Sequence, residues 1–388
     1  MESVLRVAGL IVGIFIVGST SLSVFTTLVV PRVSSSRAMR TVARTIGVIA
    51  RAVLPRLPSY EVRDRLMSVV GPAAMVSLFV LWLGFLVVGF GLIVWWTSGE
   101  DIASALAISG SSVFTLGIAV SPASGSRAVE IVGAGVGLLV IALEIAYLPA
   151  LYNAFSTRET QVTLLATRSG TPAWGPEILA RHHMLQTIDE LPSLYADWER
   201  WAAAVSESHA NYPALLWFRS PVSSRSWLLS LVAMMDSAAL YHSVSPSQTP
   251  RQARLFLSMG TNCLRSMAGA LHISYDPDPL PTAGTRLTKE EFTDGFERLE
   301  EVSFPLEREL DDAWRHFEGW RINYESIVDV LTGLVMPPPA PWFIARPHLG
   351  QAEWPSVRNR TPDDPEGTQP FGSSITFKTP SVRESKSL

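Results

Sequence analysis

The sequence predicts an all-α membrane protein. It should have three membrane-spanning helices, a re-entrant helix and loop between the second and third, and a cytosolic helical bundle. Three observations predict this. Apolar runs at residues 4–30, 71–96 and 128–155 each exceed the roughly 20 residues needed to cross a hydrocarbon core. Arginines crowd one connection between the runs and avoid the other. Beyond residue 175, apolar residues recur at helical spacing with no alternating strand pattern.

Composition agrees with that class. Of the 388 residues, 47% are hydrophobic and only 17% charged, where a soluble chain carries about a quarter. A net charge of −4, with no basic stretch interleaved by aromatics, argues against a nucleic-acid partner. The lone Cys263 allows no internal disulfide and reads as a buried thiol.

The first span, residues 1–31, carries Arg6 near its start and ends at Pro31-Arg32. It has the outline of a signal peptide, but it is long and no small-residue cleavage site follows, so it is expected to be retained. Residues 32–70 contain eight arginines against Glu61 and Asp64. The positive-inside rule places this loop in the cytosol, with the N-terminus outside and everything after the third span cytosolic, in a plasma-membrane setting. Arg37, Arg40, Arg44 and Arg51 fall on one helical stripe, with Met39, Val42, Ile46, Ile49 and Val53 opposite. That pattern suits a helix lying on anionic membrane lipid, or one packing its apolar face on the cytosolic domain.

The second span, 71–96, has no charge and ends in Trp95-Trp96. The segment that follows, 97–127, is short and apolar for an exposed loop. Asp101 or Ser98 can cap a helix of about three turns, 101–113, which cannot span a bilayer but can dip in and return. An extended stretch, 114–120, and Pro122 come next. The third span bears Gly133, Gly135 and Gly137, which permit a hinge or close helix packing, and Glu144 deep in the apolar run. A carboxylate there faces a watery cavity or a partner, and copies arranged in a ring would favour cations. Pro149 is positioned to kink the last turns.

The order span, short helix, Thr115-Leu116-Gly117-Ile118-Ala119, proline, span resembles the pore module of the potassium-channel superfamily. The likeness covers residues 71–155. It implies a pore helix, a filter whose backbone carbonyls replace an ion's hydration shell, and a permeant monovalent cation. One loop per chain implies a homo-oligomer, fourfold in that family. Thr115, Leu116 and Gly117 match the family's T-V-G. Ile118 stands for its tyrosine, Ala119 for its second glycine, and Val120 for its usual aspartate. The resemblance therefore implies a strained Ala119, a filter without its rear braces, and weak or altered potassium selectivity. A non-conducting sensor or scaffold with a vestigial loop is the alternative.

Residues 156–335 read as an all-α domain after a polar connector, 156–175. Helices are expected near 176–189, 192–206, 223–241, 250–272, from the capping box Thr288-x-x-Glu291 to 302, and within 306–335. His182-His183 and the trio Ser224, Asp236 and His242 lack the spacing of a metal site or a nucleophile elbow. No nucleotide fingerprint occurs, so neither cofactor, metal nor enzymatic activity is expected. Residues 336–388 begin with a proline run and continue polar, which reads as a stiff linker and a disordered tail.

Overall fold

The structure, a computed structural model, describes residues 2–30, 59–280 and 284–343. The arginine stripe of Arg37, Arg40, Arg44 and Arg51 and the polar tail lie outside the described residues. Among the described residues the regular elements are helices: α1 (Glu2–Leu28), α2 (Tyr60–Ser98), α3 (Ile102–Val113), α4 (Ser124–Ser169), α5 (Gly175–Met184), α6 (Leu191–Asn211), α7 (Trp227–Val244), α8 (Arg251–Leu271), α9 (Lys289–Glu301) and α10 (Leu310–Val335). Of these, α1, α2 and α4 are long and apolar enough to cross a membrane.

Helices α1 and α2 run antiparallel at close range. A Cβ added at Gly13 would sit 2.6 Å from the Gly89 carbonyl oxygen, so the two glycines let the backbones meet. The Trp82 indole donates to Ser23 Oγ at 3.3 Å further along. At the other end Arg6 donates to the carbonyls of Trp95 (2.6 Å), Gly99 (3.2 Å) and Glu100 (3.2 Å). A cation is favoured there because the last carbonyls of α2 lack helical partners. α2 itself terminates at Gly99, whose φ of 77° is open to glycine at little cost.

Two helices outrun their apolar segments. α2 starts at Tyr60, capped by the Ser59 hydroxyl, and passes through Pro72 without ending. α4 continues to Ser169, so the connector expected at 156–175 is mostly helix. Its last turns bury Arg158, Glu159, Val162, Leu165 and Ser169, a helical stripe in which two charges mask the periodicity. Pro149 lies inside α4, which remains one helix.

The remaining helices build a second core around α7. Every residue of α7 except His242 is buried, and a helix apolar on all faces belongs at a domain centre. It packs on α5, α6, α8 and α10. Asp236 is its buried charge, and it is fully partnered. Arg321 donates to Asp236 at 2.7 Å, to Glu325 at 2.9 Å and to the Trp342 carbonyl at 2.7 Å, while Tyr324 donates to Asp236 at 2.6 Å. Such a closed network satisfies groups that would otherwise be costly to bury. The capping box opens α9 as expected: Glu291 N donates to Thr288 Oγ1 at 3.2 Å, and Thr288 N to Glu291 Oε2 at 2.9 Å.

The proline run is not a free linker. Residues 336–343 turn back onto the bundle, and Trp342 sits among Trp174, Phe292 and Phe317 with its indole N–H on the Glu291 carbonyl. The domain boundary expected at 335 therefore moves to at least 343. The aromatic anchor outweighs the extended preference of the prolines before it.

Candidate functional site

Helix α3 lies against α2 and α4 and carries the loop that follows it. Asp101 caps it, accepting from Ala103 N (3.0 Å) and Ser104 N (3.3 Å). Small residues make the docking close: Leu106 fills the space over Gly91, and Ser109 Oγ donates to the Val87 carbonyl at 2.8 Å.

The loop is pinned by its amides. Thr115 N donates to Ser112 O (2.8 Å), Leu116 N and Gly117 N donate to Ser111 O (2.8 and 3.4 Å), and Ala119 N donates to Ser111 Oγ (3.0 Å). Ser121 N is held by Glu130 Oε1 at 3.3 Å, from the first turns of α4. Among the described residues, none of the carbonyl oxygens of 114–118 accepts a hydrogen bond. The segment is a compact turn rather than the extended strand expected from its composition.

Positive φ falls on Thr115 (56°) and Gly117 (67°). Ala119 is not among the positive-φ residues, so the strain expected there is absent. The cost rests on Thr115 instead, an unusual conformation for a β-branched residue. Within the chain, Ser111 and Glu130 hold the loop through Ala119 N and Ser121 N. Sequence reading passed over both, and the available signals were a serine cluster on an apolar helix and a lone acid entering a span. The side chains of Phe114, Leu116, Ile118 and Val120 are exposed, Ile118 at 83%.

Glu144 is not at the loop and does not face outward. It is 8% exposed and shares the inward stripe of α4 with Gly137, Val140, Tyr147 and Leu151. Its Oε1 has no hydrogen-bond partner. Within the chain, Glu144 thus sits among apolar side chains of the helix interface. The outward face of α4 at this level presents Leu138, Leu139, Ile145 and Leu148. The glycines divide as well. A Cβ at Gly137 would collide with the Val113 carbonyl, Gly133 lies over the Phe90 ring, and Gly135 has nothing near it. Gly137 is therefore the contact that seats α3 on α4, and no break in the helix marks a hinge at any of the three.

A second constellation, unforeseen from the sequence, joins the long helices to the bundle. The segment 212–220 wedges between them, with one arginine on each side. Arg158 of α4, 1% exposed, donates to the Leu215 (2.8 Å) and Phe218 (2.6 Å) carbonyls, pairs with Glu159 at 2.8 Å, and lies over the Phe155 and Trp227 rings. Arg219 pairs with Asp64 of α2 at 2.5 Å and donates to Tyr60 OH (2.9 Å) and to the Val335 (2.6 Å) and Met336 (3.0 Å) carbonyls at the end of α10. The wedge backbone fits closely: a Cβ at Gly71 would stand 3.0 Å from Trp217 O. Each guanidinium satisfies several carbonyls at once, which its fixed fork allows and an ammonium would not.

No family model, curated protein or solved structure matches the chain. Among the described residues no group of three or more His, Cys, Asp or Glu is arranged to hold a metal ion. His182 Nδ1 instead lies 2.7 Å from the Ile178 carbonyl.

Proposed function

We propose that the chain is one subunit of a cation channel of the potassium-channel pore type, assembled as a closed ring, most simply a homotetramer. In this reading α2, α3, the 114–120 loop and α4 form the pore module. The bundle is the cytosolic regulatory domain, and α1 is an extra span. The carrying observation is the asymmetry of the loop: its amides are tied to Ser111 and Ser112, and its carbonyls are left without partners. Unpaired carbonyls at the negative end of α3 are suitable ligands for a monovalent cation. With Glu144 turned inward, attraction of cations rests on these dipoles alone. That supports weak selectivity. The wedge held by Arg158 and Arg219 supplies a route by which the bundle acts on α2 and α4.

The purified protein in planar bilayers should carry current in potassium and sodium gradients. Ser111→Ala removes the brace on Ala119 N and should shift the bi-ionic reversal potential. Folded wild type that passes no monovalent cation in either gradient would remove this reading. It would leave the second one, a non-conducting membrane-anchored scaffold, which the exposed apolar Leu116, Ile118 and Val120 favour as packing surface.

A further inference from the structure

A small cavity, about 10 Å³ in volume, lies where the last turns of α4 meet the start of α7. That is room for a single occupant near the size of a water or a halide ion. One wall is the first turn of α7, with Ser226, Leu229 and Ser230, and the others include Ser169, Ser224 and Arg225. No lining residue is acidic.

The polar groups around it are donors short of acceptors. α7 is 18 residues long, and its N-cap Ser226 makes no side-chain hydrogen bond to the helix. The first-turn amides of α7 thus lack the oxygen that a serine at this position usually supplies. Ser226 is only 6% exposed, and its Oγ has no partner. Arg225 Nε is buried without a partner, while Nη1 holds the guanidinium in place on Thr163 Oγ1 at 3.2 Å. An anion is the occupant these groups favour, because a helix N-terminus and a guanidinium both favour negative charge. A phosphate or sulfate is too large for the space. The apolar wall of Val162, Ala166 and Leu229 also disfavours a strongly hydrated ion.

We propose that this cavity binds a small monovalent anion of the halide class, chloride under cellular conditions. The site stands apart from the 114–120 loop and does not depend on conduction. Bound chloride ties the end of α4 to the most buried helix of the bundle.

The test is thermal unfolding of the purified full-length protein in detergent, followed by tryptophan fluorescence. Sodium chloride is compared with sodium gluconate at equal ionic strength. An anion present at about ten times its dissociation constant should raise the midpoint by about 3 °C. Arg225→Gln should lose that difference. Ser226→Asp supplies a carboxylate of its own at the helix start, so it should melt alike in both salts and match chloride-bound wild type. The ³⁵Cl resonance should broaden with wild type and not with either variant. Identical melting of wild type in the two salts overturns the proposal, as when water alone fills the cavity. A difference that persists in the variants also overturns it, because it then reflects the salts and not the site. Should Arg225→Gln fail to fold, Ser226→Asp decides the matter.

Discussion

At the scale of single residues, the junction arginines impose a pH dependence through His209. Its Nε2 faces Arg158 Nη1 at 3.3 Å, and its Nδ1 lies 2.9 Å from the Val205 carbonyl. Burial, and then the positive charge of Arg158, push its pKa down to about 3. The unfolded chain therefore takes up this proton first, near 6.5. Stability is fully present above pH 6.5 and is lost as pH falls toward 3, by about 1.4 kcal/mol per pH unit. Asp236 acts in the opposite sense. Burial lifts it to about 6 against the pull of Arg321, so its contribution grows as pH falls through 6. A comparison of wild type with His209→Gln cancels the Asp236 contribution. The stability advantage of wild type over His209→Gln should shrink between pH 7 and 5, and a constant gap would mean that the imidazole is not the group titrating. Neither arginine's role is visible in the sequence, because Arg158 sits in what reads as a polar connector and Arg219 lies between expected helices, in a stretch with no periodic pattern. The backbone carbonyls they hold are 57 to 117 positions away.

At the scale of elements, the helices were legible wherever periodicity was unbroken. The capping box, the Asp101 cap and the spans all fall close to their expected positions. The continuations of the long helices are not legible in that way. The 156–169 turns of α4 bury Arg158 and Glu159 on the same stripe as Val162 and Leu165, and a buried ion pair looks like surface in a one-dimensional pattern. The loop was legible in place and not in conformation, since which residue takes positive φ depends on where Ser111 reaches. The glycines of α4 now separate by environment. Gly137→Ala forces its Cβ into the Val113 carbonyl, an overpacking change expected to cost about 1–3 kcal/mol and to loosen α3. Gly135→Ala meets nothing and should stabilise the helix by about 0.5–1 kcal/mol. Melting of the two variants in detergent checks this. Equal effects from both substitutions would show that the α3–α4 contact is not as drawn.

At the scale of the whole molecule, the antiparallel α1–α2 pair and the returning α4 place residue 124 and the bundle at opposite ends of the long helices. By the positive-inside rule, the arginine-rich connection supports the proposal that the bundle is cytosolic. Labelling with an impermeant maleimide in intact cells tests that orientation. Cysteine at Ser124 should react from outside, and cysteine at Ser381 should not; the converse pattern would invert the assignment. The background is low, because Cys263 is buried and its thiol is pushed up to about 12.

α4 runs unbroken for 46 residues, about 69 Å, more than twice the thickness of a hydrocarbon core. One rigid rod therefore carries both the Gly137 seat of α3 and the Arg158 grip on the wedge. Their angular phase is fixed by the number of residues between them. A single residue added after Phe155 would rotate the grip by about 100° relative to the seat, whereas seven would nearly restore the phase while lengthening the rod by about 10 Å. The outward-facing letters of that stretch are thus free to vary, but their number is not.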